Sequence, residues 1–233
     1  PMDLNRIWHS FIQLHEAYPA AFVFVLIHPQ WGCWMGASPE TLLRAENGEA
    51  TVMSLAGTLT QDQDGWTSKE ALEQSVTSTF IREVLAAQEI HDAVESNVGE
   101  LQMGNIKHLM SEWRFKLPLP SASIQPNDVF DVVRNPLMLL IAQLHPTPAV
   151  GGYPQAEALN WLRNNESLSR ALYSGFVGVM GSQNANLFVT LRCAQLFQSG
   201  YTLYAGCGVN AGSDPNIEWK ETAAKMALVG QYL

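Results

Sequence analysis

The sequence predicts an α+β protein with mainly antiparallel β-sheets and helices packed outside them. Strand-like runs follow one another in meander-like groups, and helical periodicity occurs between these groups instead of alternating with single strands. Apolar residues make up 47% of the chain and charged residues 15%, which is the balance of an ordinary globular domain. A length of 233 residues suits one sizeable core, so we expect a single domain over residues 1–233.

The predicted strands are short apolar runs, rich in β-branched and aromatic residues. Residues 20–28 (AAFVFVLIH) are typical of a buried strand. The dipeptide Asn47-Gly48 predicts a hairpin turn between two further strands. The other strand candidates are residues 31–37, 41–44, 50–54, 106–115, 175–180, 187–196 and 201–205.

Helices are predicted where apolar side chains recur at a spacing of three and four residues. The clearest lies over residues 69–87, with Thr67 or Ser68 as its N-cap. The last helix is predicted over residues 215–229, with Asp214 as its N-cap, and Pro215 suits its first position. Two more are predicted, one from Asn127 to about Leu144 and a short one after Pro154.

Charge, cysteine usage and hydropathy exclude several classes of partner. A formal net charge of -9 argues against nucleic acid, although a metal ion or a few local cations can still hold a small anion. Cys33, Cys193 and Cys207 are sparse and far apart, which favours reduced thiols over a disulfide framework. The longest apolar run, residues 20–27, is too short to span a bilayer. We therefore expect a cytoplasmic protein with no nucleic-acid or membrane partner.

The densest group of polar residues is near the end of the chain. Residues 206–215 (GCGVNAGSDP) form a glycine-bearing turn that leads to a helix start, where free backbone N–H groups favour an anion. Glu218, Glu221 and Lys225 then lie on one face of the predicted helix. Two carboxylates one turn apart can bind a hard divalent cation. A solvated face with an intrahelical ion pair is the alternative, and spacing alone leaves both open.

Four other residues are candidates for chemistry. Glu40, at a turn beside apolar strands, is either a general acid with a raised pKa or an exposed turn residue. Arg192 interrupts an apolar run and can bind a carboxylate with two hydrogen bonds, or can pair inside the core. His145 either caps a helix or contacts a substrate. Glu73, taken alone, is typical of the polar face of a helix.

Eight groups of residues occur between positions 36 and 225. They are GASPE (36–40), LAGT (55–58), WTSKE with EQ (66–70 and 73–74), KHL (107–109), HPTPA with a later glycine (145–149 and 152), Glu166 with Arg170 and YSG (173–175), TLR (190–192), and YAGCG (204–208) through AGSDP (211–215) to Glu218, Glu221 and Lys225. In this order they together resemble the chorismate-utilising enzymes, a family that includes isochorismate, salicylate, anthranilate and aminodeoxychorismate synthases. Each group alone is weakly specific, but eight in register are strongly so.

The resemblance implies a magnesium-dependent site. Glu73, Glu218 and Glu221 would hold Mg²⁺, which would in turn bind a carboxylate of chorismate. Glu40 would protonate the departing 4-hydroxyl group, and His145 would lie beside the ring. The substrate-binding residues that the resemblance implies are Gly57, Thr58, Leu191, Arg192, Ala205, Gly206 and Lys225.

Residues 145–154 (HPTPAVGGYP) resemble isochorismate synthases in particular. Water would then add at C2 while the hydroxyl leaves C4, giving isochorismate for menaquinone or siderophore biosynthesis. Salicylate synthase is the nearest alternative, because it performs the same first step and then eliminates pyruvate.

One feature departs from that resemblance. Isochorismate synthases activate the water with a lysine in a K-x-V-x-S-R-like segment upstream, and no lysine precedes Lys69 here. We therefore expect a chorismate-binding fold that is incomplete at its N-terminus, inactive alone, and able to self-associate through an exposed sheet edge. A non-catalytic module that still binds Mg²⁺ and chorismate-like anions is the alternative.

Overall fold

Eleven strands in two antiparallel sheets, with six helices packed outside them, make up the described part of the chain. The computed structural model describes residues 3–60, 63–117, 136–181 and 184–233. The elements are α1 (Leu4–Ala17), β1 (Phe22–His28), β2 (Gly32–Ser38), β3 (Thr41–Glu46), β4 (Glu49–Thr60), α2 (Ser68–Ala87), β5 (Val94–Glu95), β6 (Gly99–Met103), β7 (Ile106–Lys116), α3 (Pro136–Leu144), α4 (Pro148–Gly151), α5 (Gln155–Asn165), β8 (Phe176–Met180), β9 (Ala185–Val189), β10 (Cys193–Phe197), β11 (Gly200–Tyr204) and α6 (Pro215–Gly230).

The strand order confirms the predicted antiparallel α+β fold. One sheet has four strands in the order β1-β2-β10-β11, and the other has the order β5-β7-β4-β3-β9-β8, with β6 paired to β7. Helix α2 packs on β4 and β7, whereas α6 packs on β10 and β11 and α1 on β1.

The chain passes from one sheet to the other at two neighbouring points. Strands β2 and β3 are separated by Pro39 and Glu40, and β9 and β10 by residues 190–192. Backbone hydrogen bonds join the two crossings: the N–H of Ala37 donates to the carbonyl of Arg192, and that of Val189 to Glu40, both over 3.0 Å. We call residues 39–40 and 190–192 the seam, because Glu40 and Arg192 meet there.

The prediction of one strand over residues 187–196 is wrong. Strand β9 ends at Val189, and β10 begins at Cys193 in the other sheet. Arg192 has a φ of 47°, in the left-handed region, and this turns the chain out of the seven-stranded sheet. Both halves of the run are buried and apolar, so periodicity alone does not reveal the break.

Helix α1 is an element that the sequence analysis missed. Its N-cap is Asp3, whose carboxylate accepts hydrogen bonds from the N–H groups of Asn5 and Arg6. Leu14 is fully buried and Phe11 packs beside it, which follows the apolar spacing of the segment. The cap and that spacing were the signal that the analysis overlooked. The short elements α4, β5 and β6 were missed as well.

The helices flanking the seam were predicted correctly. Thr67 caps α2 in a capping box with Glu70, and Asp214 caps α6 with Pro215 in its first turn. The helix predicted from Asn127 falls largely on residues 118–135, which lie outside the described residues. Its final part is α3, which ends at Leu144 as expected.

The main core lies between the seven-stranded sheet and helices α2 and α3. Val52, Ile81 and Leu144 are all fully buried there, and each such side chain contributes about 1.5–3 kcal/mol by burial. A second cluster, which includes Leu14 and Met35, joins α1 and α6 to the smaller sheet. The first cluster thus packs α2 on the larger sheet, and the second packs α6 on the smaller one.

Strand β8 forms an exposed edge of the seven-stranded sheet within the described residues. Val179 is 73% exposed there and Phe176 is 43% exposed. Self-association through an exposed sheet edge stays a prediction. Of the helices described, none combines the length and apolarity needed to cross a membrane.

Candidate active site

Glu40 is a buried acid. Its side chain is 1% exposed at the seam, and the Thr147 hydroxyl donates a hydrogen bond to its Oε1 over 3.1 Å. Burial raises the pKa of Glu40 to about 7, although the Thr147 hydrogen bond and the charges of Arg192 and Lys225 oppose the rise. The alternative of an exposed turn glutamate is therefore wrong. A carboxyl with this pKa is partly protonated at neutral pH, as a general acid requires.

The buried Glu40 is expected to make stability depend on pH. Because its folded-state pKa of about 7 exceeds the ordinary 4.5, the stability it contributes is fully present below pH 4.5 and is lost as the pH rises through 7. Glu40→Gln should remove that loss, raising the free energy of unfolding at pH 8 relative to wild type by on the order of 3 kcal/mol. Urea unfolding at pH 4.5 and pH 8 measures it, with the exposed Glu16→Gln as control. Equal pH slopes for wild type and Glu40→Gln would contradict the assignment.

Arg192 is a buried cation without a carboxylate partner among the described residues. It is 6% exposed, its Nε has no hydrogen-bond partner there, and its Nη2 lies 2.9 Å from Nε2 of His108. Since a guanidinium only donates, Nε2 of His108 accepts, and its Nδ1 donates to the carbonyl of Gly57 over 2.9 Å. Burial first, and the charges of Arg192 and Lys225 second, hold the pKa of His108 well below its usual value. The neutral His108 therefore orients the guanidinium of Arg192, whose Nε–H has no hydrogen-bond partner among the described residues.

Gly57, whose carbonyl accepts the hydrogen bond from His108, lies at an irregularity in strand β4. The register between β4 and β7 shifts between Ala56 and Leu59, and Gly57 has a φ of 70°. A Cβ at Gly57 would lie 2.9 Å from the Cβ of Glu70 on α2, so a side chain there is excluded. The next residue, Thr58, is buried with its hydroxyl 3.4 Å from Nδ1 of His108.

Three glutamates from α2 and α6, Glu73, Glu218 and Glu221, meet beside the seam, and we call them the carboxylate cluster. Nζ of Lys69 lies 3.2 Å from Oε1 of Glu73 and 2.7 Å from Oε1 of Glu218. Nζ of Lys225 forms an ion pair with Glu221. On α6, Glu218 is 5% exposed and Glu221 and Lys225 are 7% exposed, so the alternative of a solvated helix face is wrong.

The turn before α6 closes over the carboxylate cluster. The carbonyl of Gly206 accepts a hydrogen bond from Lys225 over 3.0 Å, and the Asn210 amide donates to Oε1 of Glu73 over 3.3 Å. A Cβ on Gly208 would come within 3.2 Å of Glu73, so the turn approaches the cluster closely at that residue. Burial, followed by the charges of Glu218 and Glu221, raises the pKa of the Cys207 thiol to about 11.

Comparison with known proteins identifies the family of this chain. The sequence profile described as "Chorismate binding enzyme" matches residues 3–233, which is nearly the whole chain. The chain belongs to this family of chorismate-binding enzymes. The resemblance seen in the motifs is thereby confirmed.

Relatives of this chorismate-binding enzyme are named as isochorismate synthases. The salicylate biosynthesis isochorismate synthase of Pseudomonas aeruginosa is 32% identical over 217 residues, which cover 86% of this chain and 42% of that protein. Isochorismate synthase EntC of Escherichia coli K12 is 30% identical over 218 residues, covering 91% of this chain and 54% of EntC. The chain thus spans about half the length of the curated relatives it matches.

A solved structure shares the fold of this chorismate-binding enzyme. MenF, the menaquinone-specific isochorismate synthase of Escherichia coli, superposes with a TM-score of 0.76 at 24% identity, over 97% of this chain and 51% of MenF. At this identity the likeness supports the fold alone, and it agrees with the α+β architecture described above.

The carboxylate cluster fits a magnesium ion by its chemistry. Carboxylate oxygens are the ligands that Mg²⁺ prefers. Of the two oxygens of the buried Glu218, Oε1 forms the ion pair with Lys69, and Oε2 has no hydrogen-bond partner among the described residues. Burial raises the pKa of Glu73, and the charges of Glu221 and Glu218 raise it further, while Lys69 opposes the rise. As they stand, the described residues bring no three His, Cys, Asp or Glu side chains close enough to hold one ion. The ammonium of Lys69 lies between two of the three glutamates.

The remaining predicted site residues of this chorismate-binding enzyme have differing surroundings. Leu191 buries its side chain in the main core. His145 stacks edge-on against Phe176 at 5.3 Å between ring centres, and burial lowers its pKa. Ala205 is half-buried at the end of β11 and precedes Gly206.

Three residues at the site received no role in the sequence analysis. They are His108, which contacts Arg192, Thr147, which contacts Glu40, and Lys69, which contacts Glu73 and Glu218. All three lie inside motifs that carried the family resemblance. A polar side chain within each of those motifs was the signal available for them.

Proposed function

We propose that this chorismate-binding enzyme carries the metal-binding, anion-binding and proton-donating part of an isochorismate synthase. The reaction adds water at C2 of chorismate and releases the C4 hydroxyl as water, with the ring double bonds shifted. The observation that carries the proposal is the seam, where the buried acid Glu40 and the buried, carboxylate-free Arg192 meet beside the carboxylate cluster. The names of the curated relatives support the same reaction.

Substrate recognition rests on two positive centres for the two carboxylates of chorismate. Arg192, with donors free and its orientation fixed by His108, would bind one carboxylate with paired hydrogen bonds. Lys225, which already reaches the turn at Gly206, would extend this positive region. Mg²⁺ bound by Glu73, Glu218 and Glu221 would supply the positive charge for the other carboxylate. This arrangement lets a protein of net charge -9 bind an anion.

Proton donation would come from Glu40. The Thr147 hydroxyl occupies Oε1, so Oε2 is the oxygen left to carry the proton. That proton passes to the C4 oxygen as the C4–O bond breaks, and Glu40 becomes a carboxylate whose charge Arg192 and Lys225 offset.

Activation of the attacking water requires a base. No lysine precedes Lys69, and Lys69 and Lys225 are both held in ion pairs with glutamates. We infer that the 233-residue chain by itself binds chorismate in the presence of Mg²⁺ but turns it over far more slowly than a full-length relative.

The test separates binding from turnover. Calorimetry with chorismate and Mg²⁺ should give saturable binding, and chromatography should detect little isochorismate. Glu40→Gln should bind chorismate as wild type does, because the amide still accepts the Thr147 hydrogen bond. Absence of chorismate binding by the wild-type chain would overturn the proposed function. Turnover close to that of a full-length relative would overturn the inference about the base.

A further inference from the structure

Lys69 lies at the N-terminus of α2, where a positive charge is unfavourable. It is the second residue of α2 (Ser68–Ala87), where the backbone N–H groups of the helix start disfavour a cation. The capping box of Thr67 and Glu70 already satisfies that end. The position of the Lys69 ammonium is therefore explained by what it meets on the other helix.

That partner is the carboxylate cluster. The ammonium lies 2.7 Å from Oε1 of Glu218 on α6 and 3.2 Å from Oε1 of Glu73 on its own helix, with the Lys69 side chain only 15% exposed. Both contacts are ion pairs, so the negative charges of the two carboxylates hold the Lys69 ammonium between α2 and α6.

Lys69 and a divalent cation are incompatible in this space. At equal distance an ammonium repels a doubly charged ion twice as strongly as it repels another ammonium, and partial burial weakens the screening. Both would also claim the same oxygens of Glu73 and Glu218. The described residues, which have the Lys69 ammonium between Glu73 and Glu218, bring no three possible ligands within reach of one ion.

We propose that Lys69 is a displaceable internal cation, which neutralises Glu73 and Glu218 in the metal-free protein and swings out to solvent when Mg²⁺ binds. The inference rests on the proposed function in that it takes the carboxylate cluster as the magnesium site. Metal affinity is then set by a competition, because only the fraction of molecules with Lys69 displaced can bind the ion.

Removing the Lys69 ammonium should increase the affinity for Mg²⁺, whereas removing a glutamate ligand should decrease it. Lys69→Gln should bind Mg²⁺ at least about tenfold more tightly by calorimetry. The same variant should have a lower Tm in EDTA, because Glu73 and Glu218 lose their counter-ion, and Mg²⁺ should restore it. Lys220→Gln, at an exposed position on α6 between the two α6 glutamates, is the control with the same change of net charge.

Chemical labelling of the wild-type chain tests the movement without a variant. Reaction of Lys69 with an amine-specific acylating reagent, followed by mass spectrometry, should rise severalfold on adding Mg²⁺. The exposed Lys220 serves as the reference for reagent activity. Mg²⁺-free buffer with NaCl at matched ionic strength controls for the screening of charges by salt.

The outcomes distinguish this inference from the function on which it rests. Tighter binding by Lys69→Gln than by Lys220→Gln, with Mg²⁺-dependent labelling of Lys69, supports displacement. If the wild type binds Mg²⁺ and Lys69→Gln binds it with unchanged or weaker affinity, the displacement of Lys69 is overturned but the magnesium site is not. Failure of the wild type and of Lys69→Gln to bind Mg²⁺ overturns both.

Discussion

Replacing Arg192 with methionine is expected to weaken chorismate binding by about 100-fold or more while the chain stays folded. Losing a desolvated charge contact costs about 2–5 kcal/mol of affinity, and each 1.4 kcal/mol is tenfold. The fold should lose about 1–3 kcal/mol, because Nε2 of His108 loses the hydrogen bond that it accepts from Arg192. No ion pair within the described residues is lost, and methionine fills similar apolar volume.

Calorimetry with chorismate and urea unfolding measure the two effects of the Arg192 substitution separately. Arg192→Lys is the matched control, because it keeps the charge but loses the planar fork and its contact with His108. We expect its affinity to lie between those of wild type and Arg192→Met. Chorismate affinity within about threefold of wild type for Arg192→Met would show that the substrate carboxylate binds elsewhere.

Glu221→Ala is expected to abolish Mg²⁺ binding and to destabilise the fold by about 3 kcal/mol. The substitution removes one member of the carboxylate cluster and leaves the buried Lys225 without its ion-pair partner. Lys225 retains only the carbonyl of Gly206 as a recorded acceptor. Burial already lowers the pKa of Lys225, and loss of the neighbouring carboxylate should lower it further.

A double substitution separates the two consequences. Glu221→Leu combined with Lys225→Met replaces the buried pair by apolar side chains, which should restore most of the stability without restoring Mg²⁺ binding. Titration calorimetry and urea unfolding of the single and double variants give both quantities. Glu157→Ala, on the exposed face of α5, controls for loss of a helix glutamate. Equal Mg²⁺ affinity for wild type and Glu221→Ala would exclude Glu221 from the metal site.

The sequence predicted the features that depend on residues close together in the chain. Thr67 and Asp214 predicted where α2 and α6 begin, because an N-cap acts within its own first turn. Successive strand-like runs predicted antiparallel pairing. The ordered motifs identified the chorismate-binding family, and with it Glu40, Arg192 and the three glutamates as site residues.

The tertiary structure decided what depends on contacts between distant segments. The break at Arg192 exists because β9 and β10 belong to different sheets, and an apolar run carries no signal of that change. Thr147 contacts Glu40 across 107 residues of chain, and His108 contacts Arg192 across 84. The sequence by itself predicted Glu40, Arg192 and the three glutamates as candidate site residues. His108, Thr147 and Lys69 join them only through contacts in the folded chain. Their protonation states and ion pairs follow from burial at the seam and from the approach of the first turns of α2 and α6, where Lys69 pairs with Glu218. Both arise only in the folded chain.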